Sequence, residues 1–311
     1  MKRSAIRIGT RGSLLALAQS GLVMRALKKY FPKKHFKLVV IKTLGDEYQG
    51  VELFKKNNVG VFTKKLQDKL ISKKIDIAVH SLKDMPTDLP ESLILAAYPK
   101  RADTRDCLVT KGRIPLARLP KGAVVGTGSA RRKSQLLRLR PDLKLVDLRG
   151  NLDTRVGHAV KEGKMDAVIL ARAGLIRTKK YLKYAASIPL KTLMPAVGQG
   201  ALGIEVRKDN GEVFIMARRL NHAETETAVL AERAFLKKLR GGCRVPVGVI
   251  SKVNSKNIRL HAAVFSVKSR NFITVAMKGS VEDAIGVGER CASALLKKGA
   301  ARFLREARGA A

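Results

Sequence analysis

Ile8-Gly9-Thr10-Arg11-Gly12-Ser13 and Val125-Gly126-Thr127-Gly128-Ser129-Ala130-Arg131 carry one pattern twice. Each is the end of an apolar strand, a glycine turn, and a hydroxyl residue where a helix begins. Ser is a favoured helix N-cap, because its oxygen accepts a hydrogen bond from a first-turn N–H that otherwise lacks a partner. The remaining free N–H groups and the positive dipole end make such a terminus an anion site. The repeat predicts two similar α/β domains facing each other across a cleft.

Hydrophobic periodicity extends this frame outward. Around the first copy, strands are expected at Ala5–Thr10, Phe36–Thr43, Ile75–His80 and Leu93–Tyr98, with helices at Ser13–Tyr30 and Val61–Ser72. Proline and charge at Pro99–Asp103 mark a boundary. Around the second copy, strands are expected at Ala123–Thr127, Lys144–Leu148 and Asp166–Leu170, with helices at Ser129–Arg140 and Asn151–Glu162. Met194–Gly200, rich in turn formers, is a second boundary. Beyond it come a strand at Ala201–Arg207 and helices at Glu212–Leu220 and Glu224–Leu239. An alternating tail (Val247–Val253, Ile258–Val267, Asn271–Lys278) then predicts an antiparallel sheet, with helices over Val281–Lys298 and Ala301–Ala307. The expected domains are 1–99 with 200–219, 104–194, and a small α+β domain at 222–311.

Composition narrows the function. Lys and Arg number 63 against 25 Asp and Glu, a net charge of +38, so the chain must attract anions. Lysine pairs such as Lys28-Lys29, Lys179-Lys180 and Lys297-Lys298 are spread along the chain, as on a solvated surface. Aromatic residues are only 5% and Trp is absent, which leaves no evident platform for stacking bases. Nucleic acid is therefore expected to bind weakly and without sequence preference, if at all. Cys107, Cys243 and Cys291 are far apart and the five histidines show no ligand spacing, so neither a disulfide framework nor a metal site is expected. No signal-peptide or membrane-spanning run is present. A cytoplasmic monomer without membrane attachment is the expectation.

Three constellations could carry chemistry. Cys243 stands in Arg240-Gly241-Gly242-Cys243-Arg244-Val245-Pro246, where neighbouring guanidiniums favour thiolate over thiol. That suits a covalent attachment point. His80-Ser81-Leu82-Lys83-Asp84-Met85-Pro86 sets an ammonium and a carboxylate at a strand's carboxyl end, where α/β proteins place ligands. Adjacent residues in an extended loop point apart, so both could face one ligand only from a special turn. A simple Lys83–Asp84 salt bridge is the alternative. Third, Arg131 and Arg132 after one strand, and Arg149 and Arg155 after the next, suggest a polyanion, since Arg grips carboxylates through paired hydrogen bonds.

Five stretches taken in order resemble the hydroxymethylbilane synthase, or porphobilinogen deaminase, family. They are Ile8–Gln19, Val79–Thr87, Leu148–Arg155, Pro195–Glu205 and Gly241–Gly248, and the resemblance they carry extends in order over essentially the whole chain. The resemblance implies a fold of two periplasmic-binding-protein-like α/β domains around a cleft, plus a small α+β C-terminal domain. It implies a transferase that joins four porphobilinogens head to tail on a covalent dipyrromethane primer. Ammonia is lost at each addition, and hydroxymethylbilane is then released. By motif match, Cys243 would carry the dipyrromethane and Asp84 would be the catalytic carboxylate. Ser81, Lys83, Thr127, Ser129, Arg131, Arg132, Arg149 and Arg155 would hold the cofactor or the growing chain. Arg11, Ser13, Gln19, Phe62 and Arg177 would face the substrate. No metal is implied. The chain departs from the family pattern at Lys65 and Gly128, and in the stretch before Phe62, where the family has a mobile loop at about 45–60. Two other classes compete: a non-catalytic anion-binding protein with the same two-domain cleft, and a nucleic-acid binder supported by charge alone.

Overall fold

The structure, a computed structural model, describes residues 5–41, 61–241 and 245–309. Its contacts divide the chain into two units, Met1–Arg101 with Ala201–Glu226, and Ala102–Gly200 with Thr227–Ala311.

The first unit opens with β1 (Ile6–Thr10), α1 (Leu14–Tyr30), β2 (Phe36–Val40), α2 (Val61–Ile71), β3 (Ile77–Ser81) and β4 (Leu93–Ala97). The second continues with β5 (Asp106–Val109), β6 (Val124–Gly126), α3 (Ala130–Leu139), β7 (Lys144–Val146), α4 (Leu152–Val160), β8 (Ala167–Ala171), α5 (Arg172–Thr178) and β9 (Ala185–Ser187). The chain then returns to the first unit as β10 (Leu202–Arg207) and α6 (Gly211–Arg218).

The two sheets share one plan. Their orders are β2-β1-β3-β10-β4 and β7-β6-β8-β5-β9. In each, the first three strands are parallel and the fourth runs antiparallel to both neighbours. That fourth strand is the first one formed after the chain changes unit: β5 in one case, β10 in the other. The shared plan brings the carboxyl ends of the parallel strands to one edge of each sheet, where the candidate residues lie.

Both sheets are covered on two faces, as buried parallel strands require. In the first unit, Val23 and Leu27 of α1 and Val213 and Met216 of α6 pack on one face with Ile8 and Val79, while Leu66 and Leu70 of α2 pack on the other with Ala78. In β8 the alternation is direct: Ala167 and Ile169 join Leu136 of α3, and Val168 and Leu170 join Val156 of α4. The repeated strand glycine is a packing residue. A Cβ at Gly9 would sit 2.3 Å from Ile75 Cδ1, and one at Gly126 2.5 Å from Met165 Sδ.

After α7 (Ala223–Lys238), strands β11 (Val247–Val253), β12 (Asn257–Phe265) and β13 (Phe272–Ser280) form an antiparallel sheet, followed by α8 (Ala284–Lys297) and α9 (Ala301–Gly309). Phe235, Val287, Cys291, Leu295 and Phe303 bury one face of that sheet. Its contacts place it within the second unit. Met194 packs against Ala263 and Phe265, and the Arg138 guanidinium lies 4.8 Å from the Phe272 ring centroid.

The periodicity does not predict β5, β9 or α5. The first two are 4 and 3 residues long, and α5 has 7, so each offers too few repeats of its period to stand out along the chain.

Candidate active site

In the first unit, the carboxyl ends of β1 and β3 carry the predicted residues. Ser13 caps α1, accepting from the Ala16 N–H at 3.4 Å. One helical turn further on, buried Gln19 donates from Nε2 to Ser81 Oγ at 2.8 Å. Two residues assigned separate roles from sequence, Gln19 and Ser81, are therefore in direct contact. Arg11 follows β1 and is half-buried. Phe62 lies in α2; its side chain is outside the described residues, as are residues 42–60 with the loop expected there.

Directly after Ser81, Leu82–Asp84 forms a single 3-10 turn. Leu82 is buried and its N–H donates to the Ala201 carbonyl at 3.1 Å, which fastens the turn to the start of β10. A 3-10 turn sets successive side chains about 120° apart instead of on opposite sides. Lys83 and Asp84 therefore do not point apart as they would in an extended loop. The Lys83–Asp84 salt bridge does not form. Asp84 is exposed, and among the described residues nothing hydrogen-bonds to or ion-pairs with its carboxylate.

In the second unit, the arginines emerge from three parallel strands at one sheet edge. After β6, Thr127 is buried and accepts from the Ser129 N–H at 3.3 Å. Ser129 occupies the N-cap position of α3, but its side chain makes no capping bond, so its hydroxyl is left for another partner. A Cβ at Gly128 would lie 3.1 Å from the Leu148 carbonyl oxygen, so the turn runs close against β7's end.

Arg131 and Arg132 have a partner that the sequence reading missed. Both are buried, and they converge on fully buried Asp106 of β5, with ion pairs of 2.8 and 2.7 Å. Arg132 also donates to the Ile169 carbonyl at 2.9 Å and Arg131 to the Met194 carbonyl. Gln199 Nε2 donates to the same Asp106 carboxylate at 3.0 Å. Burial alone would raise the Asp106 pKa; the charges of Arg131 and Arg132 outweigh it and hold the carboxyl at about 2. Burial pushes the Arg131 pKa down, only partly offset by Asp106. Two guanidiniums against one carboxylate leave a net positive charge, and the buried Arg131 Nε has no hydrogen-bond partner.

Past β7, Arg149 is exposed, while Arg155 donates from Nε to the Gly150 carbonyl at 2.7 Å. At the end of α5, Arg177 donates to the Gly200 carbonyl at 2.6 Å. Burial pushes its pKa down to about 10, and no carboxylate among the described residues pairs with it.

Of the three cysteines, Cys107 and Cys291 are buried free thiols. Burial pushes them up to about 12 and about 11, so neither supplies a thiolate at neutral pH. Cys243 lies outside the described residues. Among the described residues, no group of three or more His, Cys, Asp or Glu could hold a metal ion, and no helix is long and apolar enough to cross a membrane.

The class that follows is a two-unit α/β protein with its polar residues at the carboxyl ends of parallel strands: a bare carboxylate on a tight turn in one unit, an arginine cluster in the other. Comparison with known proteins agrees and goes further. The family described as "Porphobilinogen deaminase, dipyromethane cofactor binding domain" matches residues 6–214, and "Porphobilinogen deaminase, C-terminal domain" matches 226–297. The chain is 43% identical over 308 residues to the porphobilinogen deaminase of Pelotomaculum thermopropionicum, covering 99% of this chain and 98% of that one. It is 44% identical over 301 residues to that of Brevibacillus brevis, covering 96% of each. Among solved structures, the substrate binding protein of an amino acid ABC transporter matches 70% of this chain and 91% of its own at 13% identity and a TM-score of 0.37, too distant to transfer any residue role. The chain belongs to the porphobilinogen deaminase family.

The described residues fit the family's dipyrromethane group. It bears carboxylates and needs a thiol. The second unit offers an unpartnered buried Arg131 Nε, a desolvated Arg177 and an uncommitted Ser129 hydroxyl. The two described thiols are too buried to compete for attachment.

Proposed function

We propose that this protein joins porphobilinogen units head to tail on a dipyrromethane attached to Cys243, losing one ammonia per addition and releasing hydroxymethylbilane. The observation that carries this reading is Asp84: an exposed carboxylate without a partner among the described residues, held on a turn braced by Leu82 and Ser81. An acid with no structural role is available to a ligand.

When bound, the dipyrromethane supplies the primer and a set of carboxylates. Arg131 and Arg132, held by Asp106, together with Arg149, Arg155 and Arg177, offset those carboxylates and the ones added with each unit. Ser129 and Thr127 complete the hydrogen bonding at the start of α3. In the first unit, Arg11, Ser13 and Gln19 orient the incoming porphobilinogen, and Lys83 adds positive charge beside Asp84. Departure of ammonia leaves the substrate pyrrole cationic. Asp84 stabilises that cation: at ~4 Å and an effective dielectric near 20 the attraction is about 4 kcal/mol, or about three decades in rate. A monomer acting in the cytoplasm completes the proposal.

Intact mass with an aldehyde colour test for pyrroles, run beside ammonia release from porphobilinogen, tests it. Wild type is expected to carry a two-pyrrole increment. Cys243→Ser should lack it, and Cys107→Ala and Cys291→Ala should retain it. An increment that survives Cys243→Ser removes the attachment site. Active wild type without any increment removes the covalent primer.

A further inference from the structure

Beneath the Asp84 turn lies a buried polar network that the chemistry above does not use. His80 Nε2 is 2.8 Å from Glu205 Oε2, and Gln67 Nε2 donates to Glu205 Oε1 at 2.9 Å. All three residues are buried, Glu205 completely. His80 ends the buried run of β3, one residue before Ser81. Glu205 lies on the neighbouring strand β10, opposite Ala78. Gln67 belongs to α2, the helix that also carries Phe62.

Stability does not account for the network. Taking a carboxylate out of water costs several kcal/mol, and a buried partner roughly offsets this; packed apolar side chains of the same volume do as well or better. Its location is more telling. Successive side chains of a strand point to opposite faces. His80 is gripped by Glu205 on the α2 face, Ser81 by Gln19 on the α1 face, and the Leu82 N–H by the Ala201 carbonyl. Three consecutive residues are thus held from three directions, which leaves the turn that follows one orientation.

We propose that Gln67, Glu205 and His80 form a positioning network that ties α2 to β3 and fixes the orientation in which the turn presents Asp84. None of the three touches substrate. The inference rests on the reading of Asp84 as the acting carboxylate.

The test uses full-length, cofactor-loaded enzyme. The variant Gln67→Met/His80→Leu/Glu205→Met replaces the network with apolar groups of similar size. Its Tm and pyrrole mass increment should match wild type, and KM should change by less than about twofold, while kcat falls about tenfold or more. Wild-type kcat at wild-type Tm would overturn the proposal. Should the triple variant fail to fold, Gln67→Met alone removes the hydrogen bond from α2 to Glu205 and should lower kcat about threefold or more at unchanged KM. A loss of kcat that only follows a fall in Tm, and vanishes on cooling, would also overturn it. Wild type without porphobilinogen turnover or pyrrole mass would remove the reading of Asp84, and the inference with it.

Discussion

Asp106 is fully buried between two guanidiniums, and its carboxyl is held at about 2. The unfolded value is near 3.8, so the folded state favours the charged form. A depressed carboxylate pKa stabilises the fold above the unfolded value, and that stabilisation is lost as pH falls through the folded one. The difference is worth about 2 kcal/mol, expressed above about pH 4 and gone below about pH 2. Urea titrations across that window should show wild type losing this stability. Asp106→Asn should be destabilised already at neutral pH, with the corresponding slope flattened. An unaltered slope in the variant would assign the acid sensitivity elsewhere. Asp84 is the opposite case. Without a protein partner among the described residues, it contributes little to the fold, so Asp84→Asn should leave Tm within about 2 °C while turnover falls by two or more decades. Normal turnover in that variant would remove its role in catalysis. A large loss of Tm would mean that the carboxylate is structural after all.

At the scale of elements, close approach of backbones sets the strongest constraint. Gly288 of α8 lies against α7 so tightly that a Cβ there would sit 2.1 Å from the Ala231 carbonyl oxygen. Helix propensity alone favours Gly→Ala by about 1 kcal/mol. Overpacking against a backbone atom, which cannot swing aside, costs about 1–3 kcal/mol or more. The clash should win, and Gly288→Ala should lower the midpoint of chemical denaturation; a raised midpoint would show that α7 and α8 separate freely. The candidate site shows the same division between local and distant information. The Ser13 cap at the start of α1 is legible because a cap is a relation between near neighbours, while Ser129 marks the start of α3 without making the capping bond. The 3-10 turn at Leu82–Asp84 is not, because it depends on the Leu82 bond to Ala201, supplied by a strand that returns from far along the chain.

For the molecule as a whole, the net charge of +38 exceeds what a carboxylate-bearing ligand requires. The C-terminal sheet shows how it is spread: Lys252, Arg259 and Lys278 stand opposite one another across β11, β12 and β13, all exposed. Like charges placed this way repel, yet the row has one basic residue per strand and continues the scatter of lysine pairs elsewhere. Such a surface should bind duplex and single-stranded oligonucleotides alike, weakly, with affinity that falls steeply as salt rises and without base preference. It should also speed capture of the anionic substrate at low ionic strength. Binding across a salt series beside activity measures both. Tight binding at physiological salt, or preference for one sequence, would reveal a nucleic-acid function.

Taken alone, the sequence determined what depends on neighbours: the long helices, most strands, the repeated strand–turn–helix unit, and the motifs that name Asp84, Cys243 and the arginines. Hydrophobic period and turn chemistry act over a few residues, so they can be read along the chain. The tertiary structure decided what depends on distant partners. Asp106 and Arg132 are 26 positions apart, and Gln67 and Glu205 are 138 apart. A carboxylate in a short strand gives no local sign that two arginines will close on it. A buried glutamate reads as a surface charge until the fold places a histidine and a glutamine around it. Burial makes such partners obligatory, since an unpaired charge in the interior is too costly to keep, and only the folded chain determines which residues are buried together.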